Sequence, residues 1–280
     1  MPVALALSMS VISILALTAV AIWRPAQVKR VGVQVVALLV ISGLVSVVSE
    51  PVAKVVLVAG CCTFVGAYQK EKRLTRAGAV VAGAVGVCVI VLYPASWTLA
   101  ISFLFGWANA VGQLGGENAP AGGGGKRDAT DLLPAAVFIL LGVGVAEVSA
   151  DAALLILFSV LAFVANDVLA SDLGPIIPGQ AHLLPHLASV PHGTPGAVSY
   201  AGTLIGLVGS LSAAVCAGIL LSSLVLGGWV LLAGTVGAVV DTALSRSRMR
   251  SAMARGRELI NFIGCSSAVC VGLLGLLWEG

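Results

Sequence analysis

Ten long apolar stretches joined by short polar segments constrain this chain more than any other feature of its sequence. They run from Val3 to Trp23, Val31 to Ser49, Val52 to Gln69, Ala77 to Tyr93, Trp97 to Gly112, Leu132 to Glu147, Ala152 to Leu169, Tyr200 to Leu221, Ser222 to Val240 and Leu259 to Trp278. Most approach the ~20 residues a helix needs to cross the hydrocarbon core of a bilayer. Only 10% of the residues are Asp, Glu, Lys or Arg, against roughly 25% in a soluble domain. Lipid is therefore the expected solvent. Period-2 alternation, which would mark barrel strands, is absent, and helices are the other structure that satisfies its own backbone in lipid. The expected fold is all-α: one integral membrane domain over 1–280, a bundle of about ten spans. Gly and Ala recur along the spans, as close helix approach in membranes requires, and Gly202 with Gly206 forms a GxxxG pair.

The first stretch lacks a basic segment ahead of it and is followed at once by Arg24, Lys29 and Arg30, so it reads as a retained span rather than a signal peptide. Alternating ten spans places segments 24–30, 70–76, 113–131, 171–199 and 241–258 on one side. Every Lys and Arg except Lys54 falls there. By the positive-inside rule that side is cytoplasmic, or stromal in a plastid, and the N-terminus lies outside. The net charge of +3 then reflects loops facing anionic lipid headgroups; no basic patch interleaved with aromatics points to nucleic acid. The six cysteines lie inside apolar stretches without CxxC spacing, which favours neither a disulfide framework nor a zinc site.

Two cytoplasmic loops, 113–131 and 171–199, are long enough to carry chemistry. The first holds Gly122 to Gly125 followed by Lys126 and Arg127, a pattern that serves either as a flexible linker or as an anion wrap. Near the second, Asp167 and Asp172 close one span, and His192-Gly193-Thr194-Pro195-Gly196 precedes the next. A glycine-bearing turn leading into a helix N-terminus offers free N–H groups and the positive end of the dipole, which suits phosphate. Carboxylates beside a phosphate are how Mg²⁺ is usually held. Asp241 ends the ninth span after Gly234 and Gly237, and Asn109, Gln113 and Asn261 add polar groups at the same depth. His182, His186 and His192 share the long loop, but Pro185 and Pro191 interrupt any common helix face, which argues against zinc.

These residues resemble a polytopic membrane family that includes the plant phytyl-phosphate kinases and an animal transmembrane protein. The resemblance spans roughly Leu74 to the C-terminus. It rests on Asp167 followed by Ala170-Ser171-Asp172-Leu173-Gly174, and above all on Val190-Pro191-His192-Gly193-Thr194-Pro195-Gly196-Ala197-Val198-Ser199. Leu74-Thr75 with Gly78-Ala79, Gly202, the Gly234, Gly237 and Asp241 pattern, and Asn261-Phe262 extend it. The chain departs from the family at Ala188 and Ser189, where a lysine is usual, and at Asp131 and Ala135, where Gln and Asn are usual.

The resemblance implies transfer of a phosphoryl group from a nucleoside triphosphate, CTP or ATP, to an isoprenyl monophosphate in the membrane. It further implies Asp167, Asp241 and Ser171 as catalytic, with Mg²⁺ on Asp167 and Asp241. Phosphate binding falls to Lys126, Arg127, Pro191, His192, Gly193, Thr194, Gly196, Ser199, Arg246 and Arg248, and polar support to Asn109, Asp172 and Asn261. His186, His192 or Lys126 would replace the usual lysine, or activity is altered. A membrane transporter and a non-catalytic lipid-phosphate-binding protein are the competing expectations.

Overall fold

The computed structural model describes residues 28–70, 74–112, 128–177, 179–183, 188–191, 194, 196–245 and 256–279. Among these residues the chain forms α1 (Val28–Val47), α2 (Glu50–Lys70), α3 (Arg76–Leu92), α4 (Ala95–Gly112), α5 (Ala129–Ala146), α6 (Ala150–Leu173), α7 (Tyr200–Leu220), α8 (Leu224–Ser245) and α9 (Gly256–Glu279). Each coincides with one of the apolar stretches, and the stretch Val3 to Trp23 lies outside the described residues. Helix ends depart from the apolar limits by no more than five residues, the largest difference being at the C-terminal end of α8. Glu50, Lys70, Arg76 and Glu258 enter their helices because a charged end residue can extend its side chain toward the interface.

Among the described residues six helices are long and apolar enough to cross a membrane: α2, α5, α6 with the turn that follows it, α7, α8 and α9. α3 and α4 are apolar but shorter. The ends are set by local chemistry. Thr75 caps α3 by accepting from Gly78 N at 3.0 Å, Ser149 caps α6 by accepting from Ala152 N at 3.2 Å, and Ser199 caps α7 by accepting from Gly202 N at 3.0 Å. Between α7 and α8 the chain reverses in three residues, with Ser222 in the left-handed region at φ 55. Lys54 donates to the Val91 carbonyl at 2.9 Å and so satisfies part of the C-terminal end of α3.

The loop expected at 171–199 is more ordered than an all-α reading implies. α6 continues through Ser171 and Asp172 to Leu173 and tightens into a 3-10 turn, Gly174–Ile176. Three short strands follow: β1 (Ala181–Leu183), β2 (Ala188–Val190) and β3 (Ala197–Val198). They form an antiparallel sheet in the order β2-β1-β3, with His182 opposite both Ser189 and Val198. Such pairing satisfies backbone groups that helix would otherwise satisfy in a segment broken by Pro175, Pro178, Pro185 and Pro191.

α6 is the axis of the bundle. It packs against α4, α5, α7, α8 and α9, and 83% of its most apolar stretch is buried, against 17% for α2. The main core joins Leu154, Phe158, Leu161 and Leu169 of α6 to Phe103, Leu104 and Trp107 of α4 and to the small residues of α7. A second cluster joins Ile156, Val160 and Phe163 of α6 to Ala233 of α8 and Cys265, Ala268 and Val269 of α9.

Candidate functional site

The two aspartates singled out by sequence come from different helices, and glycines decide how those helices meet. A methyl group on Gly234 of α8 would lie 2.6 Å from the Ala162 Cβ and 2.6 Å from the Ser210 Oγ. On Gly237 it would lie 2.9 Å from the Gly264 carbonyl oxygen and 3.0 Å from the Phe163 ring. On Gly264 of α9 it would lie 2.7 Å from Cζ of Phe163. Phe163, Gly237 and Gly264 thus meet at one level and lock α6, α8 and α9 in register, the close backbone approach that membrane helices use for packing.

From that level the chemistry follows by helical repeat. Four residues on from Phe163 along α6 is Asp167, and four on from Gly237 along α8 is Asp241, each one turn nearer the basic end. α9 starts at that end and runs the opposite way, so Asn261, three residues before Gly264, belongs to the same level. Cys265 lies beside Gly264 and is 1% exposed. The two aspartates therefore each stand one helical turn from the same contact of α6, α8 and α9. One oxygen of Asp241, Oδ1, is buried, as is Oδ1 of Asp172 on the last turn of α6, while both side chains keep interactions elsewhere.

A polar pair braces the other side of Asp167. Asn166 Nδ2 donates to Ser210 Oγ at 2.9 Å, and Ser210 Oγ donates to the Ala162 carbonyl at 3.2 Å. Asn166 is 6% exposed and fills the space left by Gly206 of α7. The GxxxG pair consequently works within the chain: Gly202 rests against Ser199, Ala170 and Gly174, and Gly206 against Asn166.

At the basic end, three helix N-termini share a second polar knot. Thr75 donates to Asp128, whose backbone N–H donates to Asp131 Oδ2 at 2.9 Å, and Arg257 approaches Asp131 Oδ1 at 3.8 Å. The Thr75 hydroxyl, then the Ala129 N–H, holds the Asp128 carboxyl below its ordinary range. One to two turns deeper, Phe138 of α5 and Phe262 of α9 pack with ring centroids 5.2 Å apart.

The remaining expected site residues divide. Asp167, Asp241 and Asn261 fall at one level by helical register. Ser171 donates back to the Val168 carbonyl at 3.2 Å and Asn109 to the Phe105 carbonyl at 2.7 Å, so both serve their own helices. Thr194 donates to the Pro191 carbonyl at 2.7 Å, and Gly196 takes φ 75, which glycine adopts without strain; together they shape the turn before β3. Ser199 is the α7 cap. Lys126, Arg127, His192, Gly193, Arg246 and Arg248 lie outside the described residues. Sequence reasoning missed Phe163, Gly264, Cys265 and Asn166. The signal available for Gly264 was its place three residues beyond Asn261; nothing in the pattern marked Phe163 among its apolar neighbours.

Two hard carboxylates held on separate helices fit a divalent cation such as Mg²⁺, which takes one or two protein carboxylates and completes its shell with water and phosphate oxygens. No group of three or more His, Cys, Asp or Glu that could hold a metal ion is found among the described residues, so any cation here would depend on such outside ligands. Comparison with curated proteins and with solved structures finds no match. The family described as Integral membrane protein DUF92 matches residues 58–275, a segment containing both aspartates, the glycine contacts that register them and the sheet-bearing turn. The chain belongs to that family of integral membrane proteins.

Proposed function

We propose that the protein is a prenyl-phosphate kinase that transfers a phosphoryl group from a nucleoside triphosphate, CTP in preference to ATP, to a membrane-embedded isoprenyl monophosphate. The observation that carries this reading is that Asp167 and Asp241 each stand one helical turn beyond the contact of Phe163 with Gly237 and Gly264, toward the same end of the bundle. An isoprenyl tail would lie against the helices while its phosphate meets the loops. Ten spans, with the basic loops cytoplasmic, complete the reading.

In the transfer, an acceptor phosphate oxygen forms a bond to the γ-phosphorus and the bond from that phosphorus to the β,γ-bridging oxygen breaks, leaving the nucleoside diphosphate. Such transfer depends on positioning and charge neutralisation more than on a protein nucleophile. Bound Mg²⁺ would neutralise charge on the triphosphate. Asp167 and Asp241 would hold it, with Asn261 and Asp172 as polar support. Amides of the 193–196 turn would receive nucleotide phosphates, and Lys126 with Arg246 or Arg248 would hold the acceptor phosphate. His186, His192 or Lys126 would take the place of the lysine usual before Val190. Ser171 and Ser199 are better accounted for as structural residues, from the bonds they make.

The test is transfer of label from CTP and ATP to phytyl or geranylgeranyl monophosphate by detergent-purified protein. Mg²⁺-dependent formation of the diphosphate, lost in Asp167→Asn and in Asp241→Asn, is expected. Absence of transfer by well-folded wild-type protein overturns the kinase. Nucleotide-independent lipid flux would then mark a transporter, and lipid-phosphate binding without turnover a non-catalytic relative.

A further inference from the structure

Gly264 is not among the residues the kinase reading uses, yet its position carries a consequence for them. The three nearest atoms to a methyl group at Gly264 all belong to the Phe163 ring: Cζ at 2.7 Å, Cε2 at 3.1 Å and Cε1 at 3.3 Å. The Gly237 position meets the Gly264 carbonyl oxygen and the same ring. At this level α6, α8 and α9 therefore meet through the Phe163 ring, the bare backbones of Gly237 and Gly264 and the Ala268 methyl, with only the ring free to absorb a shift. Beyond this contact the helices continue as rigid rods, and one turn later two of them present Asp167 and Asp241. A displacement at the contact reaches the carboxylates through a single helical turn.

We infer that the contact of Phe163 with Gly237 and Gly264 is the positioning element that sets the separation of Asp167 and Asp241, and that Phe163 and Gly264 are matched in size for this task. The inference rests on the metal-site reading above. It assigns these residues no contact with substrate; they act through the two aspartates. Residues that hold metal ligands in place alter affinity by roughly 10–100-fold when changed, and the same scale applies here.

A control separates this role from general packing. At the other end of α8, a methyl group on Gly227 would lie 2.9 Å from the Ala214 carbonyl oxygen and 3.2 Å from the Gly218 Cα, crowding as severe as at Gly264 but remote from Asp241. Binding of Mn²⁺ to the full-length protein in detergent, read from the loss of the free-ion electron paramagnetic resonance signal, needs no turnover. Gly264→Ala should weaken Mn²⁺ binding about tenfold by crowding the ring, and Phe163→Leu should weaken it by loosening the contact. The double variant, in which the added methyl fills the space left by the ring, should recover most of the loss, and Gly227→Ala should lower thermal stability without changing Mn²⁺ affinity.

If Gly264→Ala does not fold, Phe163→Leu and the double variant carry the test alone. Equal Mn²⁺ affinity in wild type, Phe163→Leu and any folded Gly264→Ala overturns the positioning role while leaving the metal site standing. Equal weakening by Gly227→Ala, or no recovery in the double variant, overturns it as well. A wild-type protein that binds no Mn²⁺ overturns both the positioning role and the metal site, and so is distinguished from failure of the positioning role alone.

Discussion

The helices around α6 and the helices at the α2–α3 edge are built from similar residues and use them in opposite ways. On α7, α8 and α9, glycines at 206, 209, 234, 237 and 264 face the neighbouring helix so closely that an added methyl would meet backbone or ring atoms. On α2 and α3, Gly66 and Gly83 have nothing within 4 Å of the same position, Gly60 meets only the Ile41 side chain at 3.8 Å, and Gly86 meets the Cys61 Sγ at 2.6 Å, a side chain rather than backbone or ring. The difference is one of solvent. Between helices, association in lipid depends on packing because no hydrophobic force favours it, so close approach is selected. Facing outward, a glycine merely leaves a dimple. Val33, Val36, Val40, Val52 and Val55 of α1 and α2 likewise turn outward, while the inward residues of α6 are covered.

Adding bulk in the two regions should therefore give opposite outcomes. Gly234→Val should cost about 2–3 kcal/mol by overpacking against Ala162 and Ser210, whereas Gly66→Val should stay within about 0.5 kcal/mol. Thermal unfolding of both variants in one detergent reads the difference, and equal losses would break the comparison.

The polar brace inside the tightly packed region comes next in size. Asn166→Ala removes the bond to Ser210 but leaves Ser210 its own bond to the Ala162 carbonyl, and should cost about 1 kcal/mol, within the range seen for interhelical bonds in membranes. A loss above that of Gly234→Val in the same unfolding series would show that hydrogen bonding, not close packing, holds α6 to α7.

Smaller still is the tie between α9 and α5. Arg257 is more than half exposed and 3.8 Å from Asp131, so Arg257→Gln should cost less than about 1 kcal/mol and the difference from wild type should fade as salt is raised. Persistence of the effect in high salt would mean that Arg257 acts through packing.

The smallest expected effect is at Asp128. Its carboxyl lies below the ordinary value in the folded protein, so the stability it contributes is present above the unfolded pKa and is lost as pH falls through the folded one. The difference in Tm between wild type and Asp128→Asn should accordingly be greatest near neutral pH and vanish in acid. A difference that grows on acidification would reverse the assignment.

Much of the fold was legible in the sequence, for a specific reason. The nine observed helices follow apolar stretches because lipid forces a spanning segment to satisfy its own backbone, which makes hydropathy and helix nearly the same property. Asp167 and Asp241 were legible because a carboxylate at the end of an apolar span is costly and stands out from its surroundings. Asn109 stood out as a polar group in an apolar span, and Ser171 and Ser199 through the family resemblance, yet each bonds within its own helix or caps it. A polar side chain at a helix end has both uses, and composition does not separate them. The sheet escaped notice because strands of two or three residues are too short to show alternation.

The sequence by itself determined that the chain is an integral membrane protein, where its helices run, and which carboxylates are exceptional, since each of these depends on local transfer into lipid. Only the tertiary structure decided which glycines are contacts and which are gaps, that α6 is the axis, and that Asp167 and Asp241 each stand one turn from a shared contact of three helices. Those are relations between helices distant in sequence, fixed by shape and close approach, and no periodicity along a single helix encodes its partner.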